Sequence, residues 1–228
     1  MTDEEILRHF GSVPYFVDEV IEPWEQERDK EPFRKMMTWS SEGSVNIMRI
    51  CGTMHPDYIG MTWREFLKKG RRMNINLRAF HDNPGYYTDI VKRLPGMFVA
   101  IIDGKGYVTE DGNHRTCIGK CFLYDKDSPF MHGVRVSESD TDMHAYSAFR
   151  SLVKKLPAYC AAAPVSTEVK RDDGNGWATH HYDVRIRLEN RRRGYDAIFD
   201  AEEVIQRILP ALGKCFLGRF SEYGKLLF

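Results

Sequence analysis

Long apolar runs are missing from this chain: no uninterrupted hydrophobic stretch approaches the roughly 20 residues that a membrane helix needs, which argues against membrane insertion. The opening Met-Thr-Asp-Glu-Glu has no basic region followed by an apolar run, so no signal peptide is expected there. Net charge is missing too. The 33 Lys and Arg balance the 33 Asp and Glu, so no global field advertises a nucleic-acid partner and any such contact has to be local. Cysteines are few, and the five (Cys51, Cys117, Cys121, Cys160 and Cys215) form no C-x-x-C pair. An odd number without pairing suits a reducing compartment better than a disulfide scaffold, and a cytoplasmic location is expected. Repeats and low-complexity tracts are absent, which excludes solenoid architectures.

What is present describes an ordinary folded chain. Hydrophobic residues make up 42%, charged residues 29%, and 13 Phe, 11 Tyr and 4 Trp supply core material. A length of 228 residues accommodates one domain with a sizeable core plus a smaller appendage. Thr2 with Glu5 and Thr62 with Glu65 form capping boxes that open two short helices, closed by Gly11 and Gly70. Ser12 to Glu22 reads as extended, Trp24 to Met37 as helical, and Tyr86 to Leu94 as a helix. Ser40 to Met61, rich in Ser, Gly and Thr, suits a site-forming loop with a short strand from Val45 to Cys51. Met97 to Ile102 is an apolar run expected of a buried strand. Asp103 to Gly106 is a hairpin turn, Tyr107 to Thr109 a second strand, and His114 to Tyr124 a helix with Cys117 and Cys121 facing inward. Ala145, Phe149, Leu152 and Leu156 repeat at helical spacing until Pro157. Strands follow at Val165 to Lys170, Ala178 to Leu188 and Tyr195 to Phe199, then a helix capped by Asp200 and interrupted by Pro210. The expected class is α+β: a small mixed sheet with helices over residues 1–160, and a β-hairpin plus helix module over 161–228.

The segment from Glu110 to Thr116 carries the chemistry. A Gly-containing turn between a strand and a helix aims backbone N–H groups along the helix axis, where the dipole also favours an anion. Gly112 lets backbone approach a phosphate; Asn113, His114 and Thr116 add donors; Arg115 offers a fork matched to phosphate oxygens. Glu110 and Asp111 are placed to bind a divalent metal such as Mg2+ or to act as a base. In a blander account Gly112-Asn113 only makes a tight turn and Arg115 pairs with Asp111. Ser41, Ser44, Arg49, Thr53 and His55 are expected to form a second wall holding a base, a ribose or a second phosphate.

The stretch GMFVAIIDGKGYVTEDGNHRTCIGKCF resembles the signature of the ParB/sulfiredoxin superfamily, in which two short strands lead into a turn and a helix that grips nucleotide phosphate. Where sulfiredoxins carry their catalytic cysteine this chain has Asn113, so the resemblance does not extend to sulfinic-acid reduction. The segments VPYFVDEVIEPWE, MMTWSSEGSVNIMRICGTMHPDYIGMTWREFL and PGMFVAIIDGKGYVTEDGNHRTC look like plasmid-encoded fertility-inhibition proteins of the Osa and FiwA type, which belong to that superfamily. That resemblance implies a ParB/sulfiredoxin-like fold in a cytoplasmic bacterial protein. It further implies ATPase and DNase activities, with ATP or another nucleoside triphosphate as cofactor. The implied partners are transferred DNA, a relaxase or a coupling protein. The alternative is a non-catalytic, nucleotide-bound inhibitor of a coupling ATPase or relaxase–DNA complex, and a small-molecule kinase is a third reading.

Phosphodiester cleavage needs a base, a positioned water and positive charge on the phosphorane oxygens. Arg115 is expected to supply the charge, His114 or Glu110 the base, and Glu110 or Asp111 a metal ligand. Lys68, Lys69, Arg71 and Arg72, and also Arg191, Arg192 and Arg193 at a hairpin tip, are candidate contacts for a DNA backbone. His180 and His181 alternate sides of a strand and do not suit a shared zinc.

Overall fold

The computed structural model describes residues 1–92 and 94–213. The end of the expected second module, 214–228 with Cys215, lies outside the described residues. Contacts cluster into two compact units that are interleaved along the chain, not divided by one cut near residue 160. The first comprises Met1–Arg28, Thr38–Ser139 and Asp173–Ala178; the second comprises Asp29–Met37, Asp140–Asp172 and Thr179–Phe228. The expected α+β class is observed, with helices against a mixed sheet. Among the described residues no helix is long and apolar enough to cross a membrane.

In the first unit, helix α1 (Asp3–Phe10) starts on its capping box: the Glu5 N–H donates to Thr2 Oγ1 and the Thr2 N–H donates to Glu5 Oε2. Ile6 is its fully buried anchor. The strands are β1 (Glu22–Pro23), most of β2 (Arg34–Asn46), β3 (Ile50–Thr53), β4 (Phe98–Ile102), β5 (Lys105–Val108) and most of β6 (Phe130–Thr141). Their order here includes β1-β3-β5-β4-β6; β4 and β5 pair antiparallel, and the other three contacts are parallel. The β4–β5 turn places Asp103 at φ 49° and Gly104 at φ 88°, the left-handed pair whose twist matches a two-residue hairpin. Helices α2 (Trp63–Lys69), α3 (Met73–Asp82) and α4 (Asn113–Leu123) complete the unit. Because β4 and β6 are parallel, the chain needs a crossover between them, and α4 lies within it. Its Cys117, Ile118, Cys121 and Leu123 join a core with Ile47, Ile50, Trp63, Phe66 and Leu77.

A charged group on α4 enters that core. Lys120 on α4 is 3% exposed, its ammonium donates to the Ile50 carbonyl, and it lies 4.4 Å from the Trp63 ring centre and 4.6 Å from that of Phe16. Burial lowers its pKa from 10.5 to about 8. Burial likewise raises the thiols of Cys117 and Cys121, the latter to about 12, as inert core cysteines require.

The second unit is built on α5 (Met143–Val153), capped by the Asp142 carboxylate, on most of β7 (Cys160–Gly174) and of β8 (Trp177–Asn190), and on β9 (Tyr195–Phe199). β8 and β9 pair antiparallel from Ile186↔Phe199 to Asn190↔Tyr195. Val184, Ile186 and Leu188 alternate inward against Ala145, Leu152, Val204 and Ile208.

Several expected elements differ. Ser40 to Met61 is irregular only after Thr53: β2 runs to Asn46, a 3-10 turn spans Ile47–Arg49, and β3 follows. Small polar residues are compatible with a half-buried strand, and composition alone misread them. Trp24–Phe33 is a 3-10 helix that yields to β2, since its sequence offers little apolar face and Pro32 lacks a donor. A 3-10 turn also occupies Tyr15–Asp18 in the stretch expected to be extended. The helix expected over Tyr86 to Leu94 is only a 3-10 turn at Pro84–Tyr87, and Ile90, Val91 and Leu94 are exposed. A nine-residue helix without caps depends on a packing surface, and none covers these side chains. α3 and β6 had no counterpart in the sequence reading. Pro210 does not end its helix: α6 (Ala201–Glu203) passes through a π turn at Val204–Ile208 into α7 (Leu209–Gly213). The wider turn relaxes the hydrogen-bond ladder just where Pro lacks its N–H.

Candidate functional site

β5 hands the chain to α4 through a turn held by backbone and one carboxylate. The Phe98 N–H donates to the Asp111 carbonyl at 3.1 Å, and Asp111 Oδ1 accepts from the Gly112 N–H at 2.6 Å. Gly112 caps α4 at φ 115°, and a Cβ there would sit 3.0 Å from Met97 Cγ. Both facts demand glycine. Asn113 begins the helix, nearly buried, with its Oδ1 accepting from Thr53 Oγ1 at 2.6 Å; the same hydroxyl accepts from the His55 N–H at 3.0 Å. Thr53 therefore ties the end of β3 to the start of α4.

Around this junction opens a cleft of about 330 Å³. Glu110, Asp111, Asn113 and His114 line one side; His55, Asp57 and Tyr58 come from the turn after β3, and Arg71 and Arg72 from the link between α2 and α3. Four rings stiffen it: His55 stacks on Tyr58 at 4.4 Å, Tyr58 meets Phe66 at 4.3 Å, and His114 lies 5.0 Å from Phe66 and 5.5 Å from Tyr58. His114 Nε2 accepts a long 3.4 Å contact from the Arg72 N–H. Burial, then the Arg115 and Arg72 guanidiniums, holds the His114 pKa below 6.5, so its imidazole is neutral at physiological pH. Among the described residues neither Arg71 nor Arg72 is ion-paired, so both cations are free for a ligand.

No family model, curated protein or solved structure matches the chain.

The residues expected to share a site divide into two groups. Glu110, Asp111, Asn113, His114, His55, Arg71 and Arg72 line the cleft, with Thr53 directly behind Asn113 and Gly112 as the cap. Arg115 does not. Its Nη2 donates to Asp111 Oδ2 at 2.8 Å and to the Gly96 carbonyl at 2.9 Å, and it lines a separate cavity with Phe80 and Tyr87. The ion pair belonging to the blander account of the turn is thus present, and Arg115 braces the turn from behind. Thr116 is fully buried, and its N–H continues the helix to the Gly112 carbonyl. Ser41 donates to the Gly176 carbonyl, Ser44 bonds His132, and Arg49 binds the Gly104 carbonyl and faces Glu138. These three do not form a second wall, because β2 and the 3-10 turn after it point them at other partners.

Lys69 pairs with Glu65 at 2.8 Å, and Lys68 lines a different cleft. Arg191, Arg192 and Arg193 do occupy the turn between β8 and β9, where Arg191 lies 3.9 Å from Glu189 and Arg192 covers the Tyr159 ring. Sequence reasoning missed Asp57 and Tyr58. The His-Pro-Asp-Tyr turn signal was visible, but its distance from α4 in sequence hid its place beside His114.

Both Asp111 oxygens are engaged, by Gly112 and Arg115, so the expected Glu110–Asp111 ligand pair for a divalent metal does not fit. Glu110 is exposed and keeps its carboxylate free; among the described residues no group of three His, Cys, Asp or Glu assembles around it. What the cleft does offer is two guanidiniums, a helix N-terminus, a neutral imidazole and the carboxylates of Glu110 and Asp57. Together these suit an ionised phosphate ester.

Proposed function

We propose that this cleft binds a phosphate ester and hydrolyses it, as the site of a nucleotide-binding ATPase and DNase. The observation that carries the reading is the convergence of Arg71 and Arg72, both unpaired, with neutral His114 and free Glu110 at the N-terminus of α4. The two guanidiniums neutralise phosphate oxygens, and the first-turn amides of α4 add donors with no intrahelical partner. His114, or Glu110, takes the proton of the attacking water. Glu110 would be the protein ligand of a nucleotide-borne Mg2+, which would supply further charge neutralisation. The strand–turn–helix of β5 and α4 supports placing the chain with the ParB/sulfiredoxin superfamily. On that footing the protein is a plasmid fertility-inhibition factor acting on transferred DNA in a bacterial cytoplasm.

The test is the purified protein with ATP, Mg2+ and plasmid DNA, beside an Arg71→Ala/Arg72→Ala double variant. ADP release and DNA nicking should fall by about a hundredfold or more in the variant. Full turnover by the variant would sink the reading. A second reading, a nucleotide-bound inhibitor that only binds a relaxase or coupling protein, is favoured by the engagement of both Asp111 oxygens, which leaves one free carboxylate beside the turn. Nucleotide binding by the wild type without ADP release or nicking, together with retained inhibition in a mating assay, decides for it.

A further inference from the structure

A second cleft, about 480 Å³, opens on the helical side of the first unit, and none of its residues lines the His114 cleft. Its walls carry Arg8 and His9 from α1, Lys68 from α2, and Arg78 and His81 from α3, over Leu67 and Leu77. Met1 lines it as well. Among the described residues that line it, Glu5 is the one carboxylate, and it caps Thr2. Arg8 meets Glu4 at 3.5 Å on the outer surface, whereas Lys68 and Arg78 have no ion pair among the described residues. The cleft therefore carries more positive than negative charge, with Glu5 offsetting part of it.

At its edge His9 Nδ1 lies 2.9 Å from His81 Nε2, with the rings 5.2 Å apart and Phe10 and Phe80 packed beside them. Two imidazoles at this distance share one proton as donor and acceptor. Protonation of both rings sets two cations face to face, beside Arg8, Lys68 and Arg78, and a bound anion relieves that repulsion. Burial, His81 and Arg8 already lower the His9 pKa. Anion binding and proton uptake must then favour each other, since linkage is reciprocal.

We propose that this cleft is a binding site for a tetrahedral oxyanion of double charge, a phosphate or sulfate, free or as the head of a monoester, with affinity coupled to protonation of the His9–His81 pair. The proposal is independent of the function proposed for the His114 cleft.

Inorganic sulfate is the probe of choice because its charge does not change across neutral pH, so any pH dependence belongs to the protein. Sulfate is titrated into the full chain at constant ionic strength, and the four ring signals of His9, His81, His55 and His114 are followed by NMR. His9 and His81 should shift saturably, and affinity should tighten by roughly tenfold between about pH 8 and about pH 6. Arg78→Ala should weaken binding by about tenfold or more. His81→Gln should bind sulfate with most of the pH dependence gone. Shifts that fail to saturate, or that survive Arg78→Ala unchanged, overturn the site. Binding of equal strength at both pH values overturns the proton coupling. Shifts confined to His55 and His114 overturn it too, while leaving the other cleft's reading intact.

Discussion

Lys120 offers the most quantitative check on this structure. The interval between its ordinary pKa of 10.5 and its folded value of about 8 corresponds to about 3 kcal/mol of destabilisation carried by the folded state near neutral pH. The sign follows from proton counting. Between about 8 and 10.5 the unfolded chain holds the Lys120 proton and the folded chain has released it. Stability contributed through this group therefore rises with pH across that window, and the deficit is greatest below it. Lys120→Met removes the buried charge but leaves the Ile50 carbonyl without its donor, which costs about 1–2 kcal/mol, and gives up the contacts to Trp63 and Phe16. The variant should accordingly be more stable than the wild type by about 1 kcal/mol near neutral pH. The sharper measurement is a double difference. Urea denaturation followed by Trp fluorescence at about pH 7.5 and about pH 9.5 should show the wild type gaining about 2 kcal/mol more than Lys120→Met. Parallel pH profiles for the two proteins would refute the buried, uncompensated ammonium.

Two further outcomes test the turn. Gly112→Ala forces a side chain into a left-handed backbone and against Met97, so it should destabilise the protein by about 1–3 kcal/mol in thermal or urea unfolding and weaken ligand binding at the cleft. For His114, whose folded pKa lies below 6.5, the neutral base persists to lower pH than in a free histidine. ATP hydrolysis should fall on acidification with a midpoint below about 6.5, and His114→Gln should abolish that limb of the pH–rate profile.

Much of the fold was legible because its signals are local. The Thr2–Glu5 and Thr62–Glu65 boxes, the Asp103-Gly104 turn, the inward phase of Cys117 and Cys121, and the Asp200 cap each depend on residues within one helical turn or one hairpin. Their physics is complete at that range. The long strands β2 and β6 were not legible, since a half-buried strand with mixed faces has no clean alternation, and its hydrogen bonds go to partners far away in sequence. The helix expected after Tyr86 failed for the converse reason: its periodicity was present but its packing surface was not.

The candidate site shows the same division. The sequence by itself determined that Glu110 to Thr116 is a glycine turn leading into a helix with donors and carboxylates around it, because only glycine adopts the φ of Gly112 without strain. Tertiary structure alone decided which side chains face the cleft. Arg115 sits at the expected position in the chain, yet its guanidinium finds Asp111 and the Gly96 carbonyl on the far side of the turn. Arg71 and Arg72, about forty positions earlier, arrive beside His114 because the link between α2 and α3 ends there. Side-chain direction depends on which acceptor lies nearest in space, and a linear sequence does not contain that distance.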